Sequence, residues 1–170
     1  MKKLSIILMT IMLCGFHSMA QHRNIFRCKI QNAENGRVVD ADMAGGNNYG
    51  TNGTEVHLFS QNGQNNQEWI AKEVEQGVYT FESFNHKVLE HDGGSMHGNG
   101  TRMQIWDWLN GNNQKWRVRQ VAPGIYSIQS LSGEWMLDAT GPTFNREGGN
   151  LQLWQPLNNI NQKWRIIPVL

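Results

Sequence analysis

Short runs of alternating apolar and polar residues, broken by Gly and Asn, pattern the chain beyond residue 20. Side chains alternate across an extended strand, so in "LQLW" Leu151 and Leu153 share one face and Gln152 and Trp154 the other. "MQIW" repeats this, with Met103 and Ile105 opposed to Gln104 and Trp106, and "VHLF" sets Val56 and Leu58 against His57 and Phe59. The aliphatic side marks the core, so the parity predicts that Phe59, Trp106 and Trp154 point away from it. In "QKWRI" the parity has the opposite meaning: Trp164 and Ile166 share a face, while Lys163 and Arg165 take the other. That Trp is expected inside, as are Trp116 with Val118 and Trp69 with Ala71. No long stretch carries a helical apolar period. Asn-Gly pairs beginning at Asn35, Asn52, Asn62, Asn99 and Asn110 mark chain reversals. The pattern predicts an all-β domain.

The same phrases recur in phase. Gln67, Gln114 and Gln162 each stand two residues before a Trp and follow one another at about 47 residues, a period typical of repeated supersecondary units. Three repeats follow, about 24–76, 77–123 and 124–170. Each has an aliphatic strand ending in an acid: Asp40 in "VVD", Glu90 in "VLE", Asp138 in "MLD". A Gly/Asn-rich loop then leads to the strand with the outward aromatic, and the Gln-x-Trp phrase closes the unit.

Residues 1–20 stand apart from this pattern. Lys2 and Lys3 precede the apolar run Leu4–Phe16, and Ser18-Met19-Ala20 offers the small residues of a cleavage site before Gln21. A secretory leader is expected, leaving residues 21–170 as a single domain that is secreted or periplasmic. Losing Lys2 and Lys3 from 15 basic against 14 acidic residues leaves the mature domain near neutral. With no basic stripe or acidic tail, nucleic acid and anionic membranes are poor partners. Cys14 leaves with the leader, so Cys28 has no partner for an internal disulfide. Its place in "FRCKI" reads as a buried, inert thiol.

Three Gln-x-Trp phrases in phase, each with an aliphatic-aliphatic-acid strand, resemble the ricin B-chain-type β-trefoil lectins and family-13 carbohydrate-binding modules. The resemblance covers essentially the whole mature chain. It implies a β-trefoil: a six-stranded barrel capped by three hairpins. Most members of that family staple each repeat with a disulfide, which this chain cannot do.

Each repeat therefore brings an acid, an outward aromatic and an Asn-Gln pair. A pyranose has an apolar face that packs on an aromatic plate and a hydroxyl rim. A carboxylate accepts hydrogen bonds from neighbouring hydroxyls, and an amide adds a donor and an acceptor. The resemblance assigns sugar contact to these positions. The third repeat is the most complete, with Asp138, Gln152, Trp154 and Asn161, and Gln162 behind. The first offers Asp40, His57, Phe59, Asn66 and Gln67, with a longer loop that could reshape its pocket. The second offers Glu90, Gln104, Trp106, Asn113 and Gln114; Glu90 is one methylene longer than Asp, and Asp92 is an alternative acid. The expected ligand is a neutral carbohydrate, galactose- or xylose-type by the resemblance, bound by a monomer without a cofactor.

Other chemistries find less support. A glycosidase needs two carboxyl groups across one bond, and each repeat supplies one at its site. His86, His91 and His97 match no strong zinc spacing, so no metal is expected. The serious rival is a trefoil that binds a protein partner, since fold does not fix function. Trp108 and Trp135 either border pockets or pack on hairpins. Asn52-Gly-Thr54 and Asn99-Gly-Thr101 fit both turns and glycosylation acceptors.

Overall fold

Alternation gives short strands and Asn-Gly gives tight reversals, and the chain folds accordingly into four strands per repeat. The computed structural model describes residues 24–43, 50–93 and 98–170; the expected leader and His97 lie outside them. Repeat one holds β1 (Ile25–Asn32), β2 (Val38–Ala41), β3 (Thr54–Phe59) and β4 (Trp69–Glu75). Repeat two holds β5 (Val78–Glu82), β6 (Val88–His91), β7 (Met103–Trp106) and β8 (Trp116–Ala122). Repeat three holds β9 (Ile125–Ser130), β10 (Met136–Ala139), β11 (Gly149–Trp154) and β12 (Trp164–Pro168).

The first and last strands of each repeat close a six-stranded antiparallel ring, in the order β1, β4, β5, β8, β9, β12 and back to β1. The middle strands form the hairpins β2–β3, β6–β7 and β10–β11. These hairpins join one another through β3–β7, β11–β3 and an Arg102–Gln152 bridge, so they cap one end of the barrel as a threefold lid. The fold is the expected β-trefoil.

The Gln-x-Trp tryptophans fill its interior. Trp69, Trp116 and Trp164 are fully buried. Their indole N–H groups donate to the carbonyls of Val39, Leu89 and Leu137 at 3.0, 3.1 and 3.1 Å. Those carbonyls belong to the residues immediately before the three acids. The aliphatic faces read from the sequence, Val56 with Leu58, Met103 with Ile105 and Leu151 with Leu153, are all buried, and Phe59, Trp106 and Trp154 remain partly exposed. Cys28 is buried in the same core, where burial pushes its thiol up to about 12. Trp135 packs against this core from its rim, whereas Trp108 is exposed.

Candidate functional site

Hairpin register places each acid directly across from the polar residue that precedes the outward aromatic by two. Asp40 faces His57, Glu90 faces Gln104 and Asp138 faces Gln152. The second group of partners comes from a single 3-10 turn just before each core Trp: Asn65–Gln67, Asn112–Gln114 and Ile160–Gln162. So tight a turn fans consecutive side chains widely apart, and Asn and Gln approach the acid from different sides.

The Gln of each phrase does the same work three times. Its Nε2 donates to the acid, at 2.7 Å for Gln67 and Asp40, 2.7 Å for Gln114 and Glu90, and 3.0 Å for Gln162 and Asp138. The same Nε2 donates to the carbonyl of Ser60, Asp107 or Gln155, the residue after each aromatic. Its Oε1 accepts from the backbone N–H of Asn62, Leu109 or Leu157. With both N–H groups and the oxygen committed, and the residue at most 3% exposed, these Gln side chains hold the acids from behind and present no group to a ligand.

The three acids are nearly buried, and they differ in how many donors they already hold. Asp40 accepts from Asn66 at 2.9 Å and Gln67 at 2.7 Å, and its Oδ1 lies 3.2 Å from His57 Nε2. Glu90 accepts from Gln104 at 2.8 Å, Gln114 at 2.7 Å and Asn113 at 3.1 Å. Among the described residues, Asp138 accepts side-chain hydrogen bonds from Gln152 and Gln162 alone, both at 3.0 Å. Asn161, the counterpart of Asn66 and Asn113, makes no hydrogen bond among the described residues. A carboxylate has about four acceptor positions, so Asp138 keeps the most capacity for further donors. Burial pushes the Glu90 and Asp138 carboxyls up from their ordinary values, and their amide partners offset part of that rise.

The second and first arrangements open as clefts. The second, of about 460 Å³, is lined by Glu90, Asp92, Arg102, Trp106, Leu109 and Asn113 among others. Arg102 bridges Asp92 at 3.3 Å and Gln104 Oε1 at 3.2 Å, so its charge is shared along the rim. The first, of about 230 Å³, includes Asp40, Asp42, Met43, His57, Phe59 and Asn66. There the His57 and Phe59 rings lie 5.8 Å apart and tilted by 31°, giving a two-ring wall. Burial alone would lower the His57 pKa, but its contact with Asp40 and the nearby Asp42 and Glu55 charges outweigh burial and raise it.

The structure thus brings the acid, cross-strand partner and Asn-Gln pair together in repeats one and two; in repeat three Gln152 and Gln162 reach the acid, and Asn161 makes no side-chain hydrogen bond to it. Arg102, Leu109 and Met43 are rim residues that alternation did not single out. Among the described residues no group of three His, Cys, Asp or Glu side chains could hold a metal ion. His91 is buried against Ser132 at 2.7 Å, and His86 contacts Glu82 at 3.1 Å.

A family model described as ricin-type beta-trefoil lectin domain-like matches residues 20–106 and 112–169. The chain belongs to this family. No curated protein matches it significantly. Among solved structures, it is similar to the designed 3-fold symmetric protein ThreeFoil, with TM-score 0.76 and 22% identity, covering 84% of this chain and 99% of that one. It is also similar to the Macrolepiota procera ricin B-like lectin in complex with lactose, with TM-score 0.67 and 21% identity over 83% of this chain and 94% of the lectin. An exo-beta-1,3-galactanase from Clostridium thermocellum matches with TM-score 0.71 and 23% identity, over 85% of this chain but 30% of the galactanase.

Proposed function

We propose that this ricin-type domain is an exported, non-catalytic carbohydrate-binding module for neutral sugars. The observation that carries this reading is the threefold recurrence of one arrangement: a nearly buried acid bracketed by amide donors, with a partly exposed aromatic two residues beyond its cross-strand partner. A sugar would pack its C–H face on Trp154, Trp106 or Phe59 and donate hydroxyls to the acid. Asn161 would add the free amide in the third repeat, where Asp138 holds the fewest internal donors. That makes the third repeat the strongest site. The likeness to a lectin solved with lactose supports the ligand class and suggests a galactose-type sugar.

A shallow site of this kind binds with a Kd on the order of millimolar, roughly −4 kcal/mol. Two or three sites on one rigid body gain by avidity on a polymer. A glycan array on residues 21–170, followed by lactose and xylose titrations, tests the proposal. Binding lost in Trp154→Ala and Asp138→Asn supports it. Absence of any glycan ligand overturns it and favours a protein partner seated on exposed Trp108, Leu109, Leu157 and Ile160. Amino-terminal sequencing of the exported protein tests cleavage before Gln21.

A further inference from the structure

In each repeat, the loop leading to the second hairpin strand carries a glycine at positive φ: Gly53 at 85°, Gly100 at 88° and Gly148 at 67°. The residue before each glycine reaches out of its own repeat. Asn52 Oδ1 accepts the backbone N–H of Asp107 at 2.9 Å. Asn99 Oδ1 accepts that of Gln155 at 2.7 Å. Glu147 Oε2 accepts that of Ser60 at 2.8 Å. Asp107, Gln155 and Ser60 are the residues directly after Trp106, Trp154 and Phe59. Repeat one therefore grips the aromatic of repeat two, two grips three, and three closes the circle on one.

The grip has a second point. Gly53 N–H donates to the carbonyl of Ile105 at 3.0 Å, and Gly100 N–H to that of Leu153 at 2.9 Å. Ile105 and Leu153 directly precede Trp106 and Trp154. Gly149 pairs with Leu58, before Phe59, in the same register. Trp106 and Trp154 are thus held by the neighbouring loop through the residues on both their sides, and Phe59 through the loop bond to Ser60 and the strand pairing of Leu58. Fixing both flanking residues sets the direction of the aromatic Cα–Cβ bond. A β-carbon built on Gly53 would lie 3.7 Å from Cζ3 of Trp106, so that loop also lies against the ring.

We propose that Asn52, Asn99 and Glu147 are positioning residues, each setting the aromatic plate of the next repeat's binding site. This rests on the sugar-binding reading for its function, but not for its geometry. The acceptor oxygen is the shared requirement, since repeat three supplies a carboxylate where the others supply an amide. Repeat one adds a second bond: Asn52 Nδ2 donates to Asp107 Oδ2 at 2.8 Å. Repeat three adds Arg37, which contacts Glu147 Oε1, and the Ser60 hydroxyl at 2.6 Å. The two Asn-Gly-Thr triplets thus place their amides in inter-repeat bonds, and a glycan on Asn52 Nδ2 would have to share that atom with Asp107.

The test uses residues 21–170 labelled with nitrogen-15, with and without lactose. Without sugar, Asn52→Ala should speed amide exchange at Asp107 by about five- to tenfold and move the Trp106 indole signal, leaving Gln155 and Trp154 unchanged. Asn99→Ala should do the reverse, and Asn99→Asp, which keeps the acceptor, should restore the parent pattern. With lactose, each Ala variant should weaken binding at the following repeat's plate, several-fold, and spare the other. Effects confined to the mutated repeat, effects spread evenly over all three, or no movement of either plate would each overturn the proposal. If the parent does not bind lactose, the sugar-free arm still decides the positioning role, and only the lactose-site reading falls.

Discussion

The indole N–H of Trp164 donates to the carbonyl of Leu137 at 3.1 Å, and the next residue is Asp138. One ring thereby fills the core and fixes the strand end that carries the candidate ligand acid. Two residues earlier, Gln162 holds that acid directly at 3.0 Å. The Gln-x-Trp phrase is thus one device with two ends, a packing end in the barrel and a polar end under the site. Its repetition as Gln67–Trp69 and Gln114–Trp116 gives each acid the same foundation.

Trp164→Phe keeps most of the buried ring but deletes the N–H donor. Urea unfolding should show a loss of about 1–3 kcal/mol, the cost of an unpaired buried carbonyl with a modest void. Trp164→Ala should cost about 3–5 kcal/mol, as for other core Trp truncations. Equal losses for the two variants would mean that the hydrogen bond adds nothing to ring volume.

Acids in this molecule respond to pH in opposite senses. Glu147 is held down to about 2, first by its Ser60 hydroxyl and N–H bonds and then by Arg37. Its folded pKa is depressed, so its contribution is present above the unfolded carboxylate pKa and is lost as pH falls toward about 2. Glu90 and Asp138 are pushed up by burial. Their folded forms hold a proton more tightly than the unfolded chain does, so ionising them costs stability as pH rises through their folded pKa values. Unfolding curves in acid should show that Glu147→Gln removes part of the stability loss below pH about 4.5. Sugar binding that needs the Asp138 carboxylate should fail at a higher pH than an ordinary Asp would titrate, as read by lactose titration from neutral pH downward.

Only the first site pairs its acid with a titratable ring. Burial opposes the charge on His57, but Asp40, Asp42 and Glu55 prevail and raise its pKa. The stabilisation from His57 is therefore fully present below the unfolded His value of about 6.5 and lost as pH rises through the folded value. An NMR titration of the imidazole should give a midpoint above that of a free His, and Asp40→Asn should bring it down. The second and third sites, with Gln104 and Gln152 in the same place, should show no such transition. A His57 midpoint below 6.5 would mean that burial wins over the acids.

Much of this architecture is written in residue parity. The period of two along "LQLW" and "QKWRI" separates Trp154 from Trp164, because one shares its face with Gln152 and the other with Ile166. The repeat length fixes the number of layers. Hairpin register is not encoded in alternation, so the pairing of Asp40 with His57, or Asp138 with Gln152, needed the fold. The 3-10 turns are too short to carry a period, which hid the division of labour between Asn66 and Gln67. The inter-repeat clasp was concealed for another reason: its third member is Glu147 where the others are Asn. The shared mark is a polar residue before a glycine, four positions ahead of Val56, Met103 and Leu151.

Trp154 and Trp164 are ten positions apart and should fail in different ways. Trp154 is only partly buried; it pairs with Met136 across the hairpin, and Asn99 of the neighbouring repeat holds the N–H of the next residue, Gln155. Removing its ring leaves those bonds intact and opens no core void, so Trp154→Ala should cost less than about 1.5 kcal/mol of stability, near the ordinary range for surface truncations. Binding should fall by tenfold or more at the third site, because the stacking surface is gone. The Trp106 indole signal should still respond to sugar. Calorimetry of lactose binding beside urea unfolding of the same sample reads both quantities. A variant that unfolds easily yet binds normally would assign Trp154 to the core and remove the plate from the third site.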